Sequence, residues 1–235
     1  MGTTRHLSVY CPPGTSTEGL ATLVVFDGYL GRTTLRMHTT LDNLIAAGRI
    51  PPVVALFVGQ VATRRLEELS PNQAMADFVT RELMPWARRR WRLSDNPDDC
   101  VIAGSSLGGL TAAYLALRAP EVFGAVISQS GSFWWPKPQE GEPGWLIREY
   151  AKEPRKPLRF YLDVGNRETQ VYDDGVPDQL SINRRMRDTL QERGYPVTYA
   201  EFTGGHDYIN WRRTFADGLL TVLPAAGSVE TRLTT

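Results

Sequence analysis

Seven short apolar runs, most rich in Val and Ile, constrain the fold of this 235-residue chain more than any other feature. They are HLSVYC (6–11), TLVVFD (22–27), VVALFVG (53–59), CVIAG (100–104), GAVISQS (124–130), RFYLDVG (159–165) and VTYAEF (197–202). A strand with one face in water alternates apolar and polar residues, whereas a strand covered on both faces does not. VVALFV and CVIAG therefore predict the centre of a sheet flanked on both sides. The segments between the runs have helical period at about 33–48, 73–90, 107–118, 178–194 and 208–223. Strands alternating with helices predict an α/β fold, with a mostly parallel central sheet and helices on both faces. A single domain is expected over 1–235. A stretch rich in Pro, Gly and charge at about 133–157 predicts a lid-like insertion over the sheet, and a polar tail follows at about 225–235.

Charge narrows the partners. Lys plus Arg is 26 and Asp plus Glu is 26, so no global field favours nucleic acid or an anionic membrane. An anionic ligand needs a local cluster of cations. The apolar runs are broken by Asp, Gly or Pro well short of the about 18 residues that cross a bilayer. The opening MGTTRHLSVYCPPG has neither the apolar stretch nor the small-residue cleavage site of a secretory signal, so a cytoplasmic address is expected. Cys11 and Cys100, each at the edge of a strand-like run, are expected as free buried thiols. His6, His38 and His206 are far apart, and no ligand spacing accompanies them, so neither a metal nor another cofactor is expected.

The run CVIAG ends in Gly104-Ser105-Ser106-Leu107-Gly108, a G-x-S-x-G placed after a strand and before the helix LTAAYLALRA. That context suits a nucleophile elbow, in which the serine sits on a strained strand-to-helix turn that only flanking glycines can close. Gly109 lets the helix approach the sheet. The helix amino terminus favours developing negative charge, and the N–H of Leu107 points where an oxyanion would form.

Such an elbow is served by an acid and then a histidine, in that chain order. His206, on a glycine loop after the last run, satisfies it; His6 and His38 precede Ser106 and read as a strand-edge residue and a polar helix position. The acid is expected beyond RFYLDVG, where Glu168 is the first choice and Asp173 and Asp174 stay open if the loop is longer. Asp163 lies inside the strand and reads as structural. Asp207 adjoins His206, and adjacent side chains rarely face each other. A second oxyanion donor belongs after the TLVVFD strand, where Asp27-Gly28 turns the chain and the amide of Tyr29 is assigned, although an ordinary turn explains the glycine equally well.

These residues carry a resemblance. AGSSLGGLTAAYLALRAPEVFGAVISQSGSFWWP (103–136) strongly resembles the catalytic domain of the enterochelin (ferric enterobactin) esterases. So do VVFDGYLG, RRLEELSPN (64–72), LDVGNRE (162–168) and GGHDYINWR (204–212). The resemblance runs from about residue 6 to 222, and SQSGSFWWP is its most specific part. It implies an α/β-hydrolase fold and hydrolysis of the esters of a catecholate trilactone siderophore. It carries Ser106 and His206 over as catalytic and puts Glu168 where the family has a glutamate; a Ser–His dyad stays open, because in some relatives the acid is dispensable. The cytosolic members resemble two-domain proteins with an additional amino-terminal domain.

The expected partner is thus a small-molecule ester, such as a ferric catecholate. Flat rings suit Phe133, Trp134 and Trp135, and the anionic charge suits Arg64 and Arg65. The competing readings are that the aromatics plug the core and that the arginines pair with Glu67 and Glu68. For Trp211 and Arg212, packing explains the residues as well as binding does. Two other functions stay open: a carboxylesterase for other aryl or acyl esters, such as feruloyl esters, and a siderophore-binding relative without catalysis.

Overall fold

All seven runs form strands in the computed structural model, which describes residues 4–136, 140–171 and 175–224. They are β1 (Leu7–Tyr10), β2 (Ala21–Val25), β3 (Val53–Val58), β4 (Cys100–Ser105), β5 (Ala125–Gln129), β6 (Arg159–Gly165) and β7 (Val197–Phe202). The sheet order is β1-β3-β2-β4-β5-β6-β7. Only β1, at one edge, runs antiparallel to its neighbour. This is the α/β-hydrolase arrangement that the sequence implied.

Successive strand side chains point to opposite faces, and because the central strands are fully buried, each face becomes a core layer. Val24, Ile102 and Val126 pack one way; Val25, Val101 and Ile127 pack the other. The helices that cover them are α1 (Gly28–Thr33), α2 (Met37–Ala46), α3 (Arg65–Leu69), α4 (Gln73–Asp77), α5 (Met84–Trp91), α6 (Leu107–Arg118), α7 (Trp145–Lys152), α8 (Gln179–Glu192) and α9 (Tyr208–Val222). Six residues of π-helix, Phe78–Leu83, join α4 to α5, so the segment predicted at 73–90 is one continuous rod. Side-chain caps start three of these helices: Asn72 for α4, Asp178 for α8 and Asp207 for α9. Each such cap contributes about 1 kcal/mol.

The segment expected as a lid-like insertion is corrected over α7. This helix buries Leu146, Ile147 and Tyr150 in the core, and the Tyr150 hydroxyl donates to the Ala113 carbonyl at 2.7 Å. Three buried side chains at about 1.5–3 kcal/mol each make α7 a layer of the core, not a cover over it. Two short helices, α1 and α3, were not expected. Cys100 is buried as expected, but Cys11 is exposed. Among the described residues no helix is long and apolar enough to cross a membrane. The tail at 225–235 and the alternative acids Asp173 and Asp174 lie outside the described residues.

Strand order reverses between β2 and β4. At such a switch point the loops leaving the two carboxyl ends part in opposite directions, and a crevice opens between them. Phe26-Asp27 leaves β2 there, and Ser106 leaves β4.

Candidate active site

Ser106 sits between β4 and α6 with φ 57° and ψ −122°, a left-handed conformation that costs a non-glycine residue on the order of 1–3 kcal/mol. Neighbours hold it there. Its N–H donates to the Gln129 carbonyl at 2.8 Å, and its own carbonyl accepts from Ser132 N at 3.0 Å and Leu110 N at 3.1 Å. The glycines are required sterically: a Cβ on Gly104 would collide with the Gly108 backbone, and one on Gly109 with the Ser128 hydroxyl. Leu107 opens α6, so its N–H has no intrahelical acceptor.

His206 lies on the loop between β7 and α9, with Nε2 3.0 Å from Ser106 Oγ and Nδ1 2.6 Å from Glu168 Oε2. Glu168 is only 6% exposed. Its Oε1 accepts from the Gly165 N–H at 2.7 Å and from the Ser130 hydroxyl at 2.6 Å, and Trp211 Nε1 donates in turn to Ser130 at 2.9 Å. Three hydrogen-bond partners hold this buried carboxyl in one orientation. The Trp211 ring also meets the His206 ring edge-on, with centroids 4.7 Å apart. Asp207 is turned away: it caps α9 through Ile209 N and Asn210 N. The structure therefore brings Ser106, His206 and Glu168 into one hydrogen-bonded chain, an arrangement chemically able to take a proton from a hydroxyl and return it.

Two cavities flank Ser106 and His206. The first, about 440 Å³, is lined by Ser132, Trp134, Arg167, Gln179 and Pro177 among others. The second, about 330 Å³, is walled by Phe26, Asp27, Leu30, Met37, Arg65 and Trp211. Tyr29 lines neither; its side chain is 68% exposed on the outside of α1. Phe26 and Asp27 wall the crevice after β2, and α1 starts at once with Gly28.

The substrate-binding expectations are redistributed. Phe133 is fully buried in the core and cannot meet a ligand. Trp135 packs edge-on against Trp145 at 5.7 Å and lines a separate groove with Leu66 and Glu67. Trp134 alone of the three faces the first cavity, with its Nε1 donating to Gln179 Oε1 at 3.0 Å. Arg64 pairs with Glu67 at 2.6 Å on an exposed face and lines neither cavity beside Ser106. Arg65 lines the second cavity, but both of its terminal contacts go to Asp27, at 2.7 and 2.5 Å, so its charge is spoken for. Glu68, the alternative partner for these arginines, is buried against Arg5. The cation that sequence reasoning missed is Arg167, which lines the first cavity and among the described residues has no side-chain partner. Its signal was its place beside Glu168 in NRE. Ser130 and Ser132 were missed as well, although both lie in the SQSGSFWWP stretch.

Relatives carry the same fold and much of the same sequence. The iron(III) enterobactin esterase of Dickeya dadantii (strain 3937) is 34% identical over 212 residues, covering 85% of this chain and 47% of the relative. That of Escherichia coli (strain K12) is 30% identical over 222 residues, covering 92% and 53%. The enterobactin esterase FES of Shigella flexneri, solved in the presence of enterobactin, superposes with a TM-score of 0.82 at 29% identity, over 93% of this chain and 54% of that one. The chain spans about half the length of the curated relatives it matches. Residues 1–222 match the family described as "Putative esterase", and the chain belongs to that esterase family.

Proposed function

We propose that this chain is a serine ester hydrolase acting on the ester bonds of a ferric catecholate trilactone siderophore. The observation that carries the reading is the hydrogen-bonded chain from Glu168 through His206 to Ser106 at the switch point of the sheet. His206 Nε2 takes the Ser106 proton as Oγ bonds to the ester carbon, and the carbonyl oxygen becomes an oxyanion. The N–H groups of Leu107 and Asp27 are the donors for it. The carbon–oxygen bond to the alcohol then breaks, and the departing oxygen takes the proton from His206. Water, activated by the same imidazole, attacks the acyl-enzyme, and Ser106 leaves with its proton restored. Glu168 holds the Nδ1–H tautomer throughout.

Substrate class rests on likeness to relatives named for iron(III) enterobactin and on the first cavity. Trp134 lines that cavity and suits a flat catecholate, and Arg167 is a cation with no side-chain partner among the described residues. The test measures turnover of a ferric catecholate trilactone and of nitrophenyl butyrate, with mass detection of products and fluorophosphonate labelling. One label at Ser106 is expected, absent in Ser106→Ala. Arg167→Gln is expected to raise KM for the anionic substrate roughly tenfold and leave the neutral ester unchanged. Labelling elsewhere overturns the nucleophile. Turnover of the nitrophenyl ester alone overturns the substrate.

A further inference from the structure

Ser106 Oγ has a second polar neighbour besides His206. Ser132 Oγ lies 3.2 Å from it, on the loop after β5. Ser132 is 2% exposed, and among the described residues its hydroxyl has no other hydrogen-bond partner. A buried hydroxyl is costly unless bonded, so a side chain whose one partner is the nucleophile is poorly explained by packing. Nor is the hydroxyl needed to shape the turn. The backbone N–H of Ser132 already ties the loop to the Ser106 carbonyl at 3.0 Å, and alanine would keep that bond.

The direction of the contact follows from proton counting. Ser106 has one hydroxyl proton, and with His206 acting as its base that proton goes to Nε2, 3.0 Å away. The hydrogen between the two serines must then come from Ser132. We propose that Ser132 is a catalytic hydrogen-bond donor to Ser106 Oγ, fixing its rotamer before attack and supporting the oxygen as it leaves the acyl-enzyme. The proposal rests on the reading of Ser106 as nucleophile given above.

The two half-reactions draw on this donor unequally. Before acylation Ser106 Oγ is a hydroxyl oxygen, already a fair acceptor, so the bond is present in the ground state. In the acyl-enzyme Oγ is the bridging oxygen of an ester, a weak acceptor. During deacylation the bond from Oγ to the acyl carbon breaks, the electron pair moves onto Oγ, and the proton arrives from His206. Negative charge grows on Oγ in that step, and a hydrogen bond that strengthens only in the transition state accelerates the step it serves.

Ser132→Ala is tested with nitrophenyl butyrate by pre-steady-state kinetics, with fluorophosphonate labelling and thermal unfolding alongside. The expected result is a deacylation rate about tenfold lower, an acylation rate reduced less than about threefold, and a larger nitrophenol burst. The melting temperature is expected to stay at the wild-type value. Unchanged rates overturn the proposal while leaving Ser106 as nucleophile. So does an equal loss in both steps with a lowered melting temperature, which identifies a packing role. Wild-type labelling at a residue other than Ser106 overturns the nucleophile reading and this proposal with it.

Discussion

Replacing Asp163 with Asn is expected to remove a pH-dependent burden from the fold. Asp163 lies in β6 with no exposure, and its Oδ1 has no hydrogen-bond partner among the described residues. Burial pushes its carboxyl from 3.8 up to about 7, against the pull of Thr214 and Gln129 beside it and with a further push from Glu168. The unfolded chain has lost this proton above about pH 4, whereas the native chain keeps it to about pH 7. Between those values the native state binds more protons, so this group's contribution to stability falls as pH rises. At about 1.4 kcal/mol per pH unit the fall reaches about 4 kcal/mol by pH 8. Asn is nearly isosteric and cannot ionise. The pH dependence of the difference between their unfolding free energies therefore reports the buried carboxyl and its coupling to its neighbours. Urea unfolding from pH 4.5 to 8 is expected to show Asp163→Asn gaining on the wild type by several kcal/mol, on the order of 10 °C in melting temperature. A difference that stays constant across that range refutes the argument.

Two further outcomes follow from the geometry. Glu168→Gln keeps the shape of the Nδ1 partner but not its charge, and is expected to lower kcat roughly 10²- to 10⁴-fold without changing where fluorophosphonate reacts; wild-type kcat would show that the serine and histidine act as a dyad. Gly104→Ala drives a Cβ into the Gly108 backbone, so the elbow cannot close, and both Ser106 labelling and about 1–3 kcal/mol of stability are expected to be lost, as labelling rate and denaturant midpoint would show.

The strands were legible because burial on both faces leaves a mark that needs no partner to be read: VVALFV and CVIAG carry no polar residue. The elbow was legible for a similar reason, since Gly104 answers a steric demand within a few positions. What escaped the sequence is pairing across distance. Arg65 and Asp27 lie 38 positions apart, and their ion pair takes up the Arg65 charge, whereas Arg167 has no side-chain partner among the described residues. Phe133, Trp134 and Trp135 are alike in composition, yet local register buries the first, turns the second to the cavity and packs the third on Trp145. The helix α7 was hidden because Pro, Gly and charge on either side mask its buried Leu146, Ile147 and Tyr150.

Glu168 is also where the wall of the first cavity is rooted. Its side chain is gripped by Gly165 N on one side, and its carbonyl accepts from Leu180 N at the start of α8. Arg167 precedes it, and Gln170, Val176, Pro177 and Gln179 follow it before α8 is under way. Glu168 and much of the first cavity's wall thus share one stretch of sequence, pinned at Glu168, with positions beyond the pin available to change. On the proposed function, rewriting those positions in one stretch of gene redrafts the choice of ester, while the hydrogen-bonded chain from Glu168 to Ser106 stays anchored behind them.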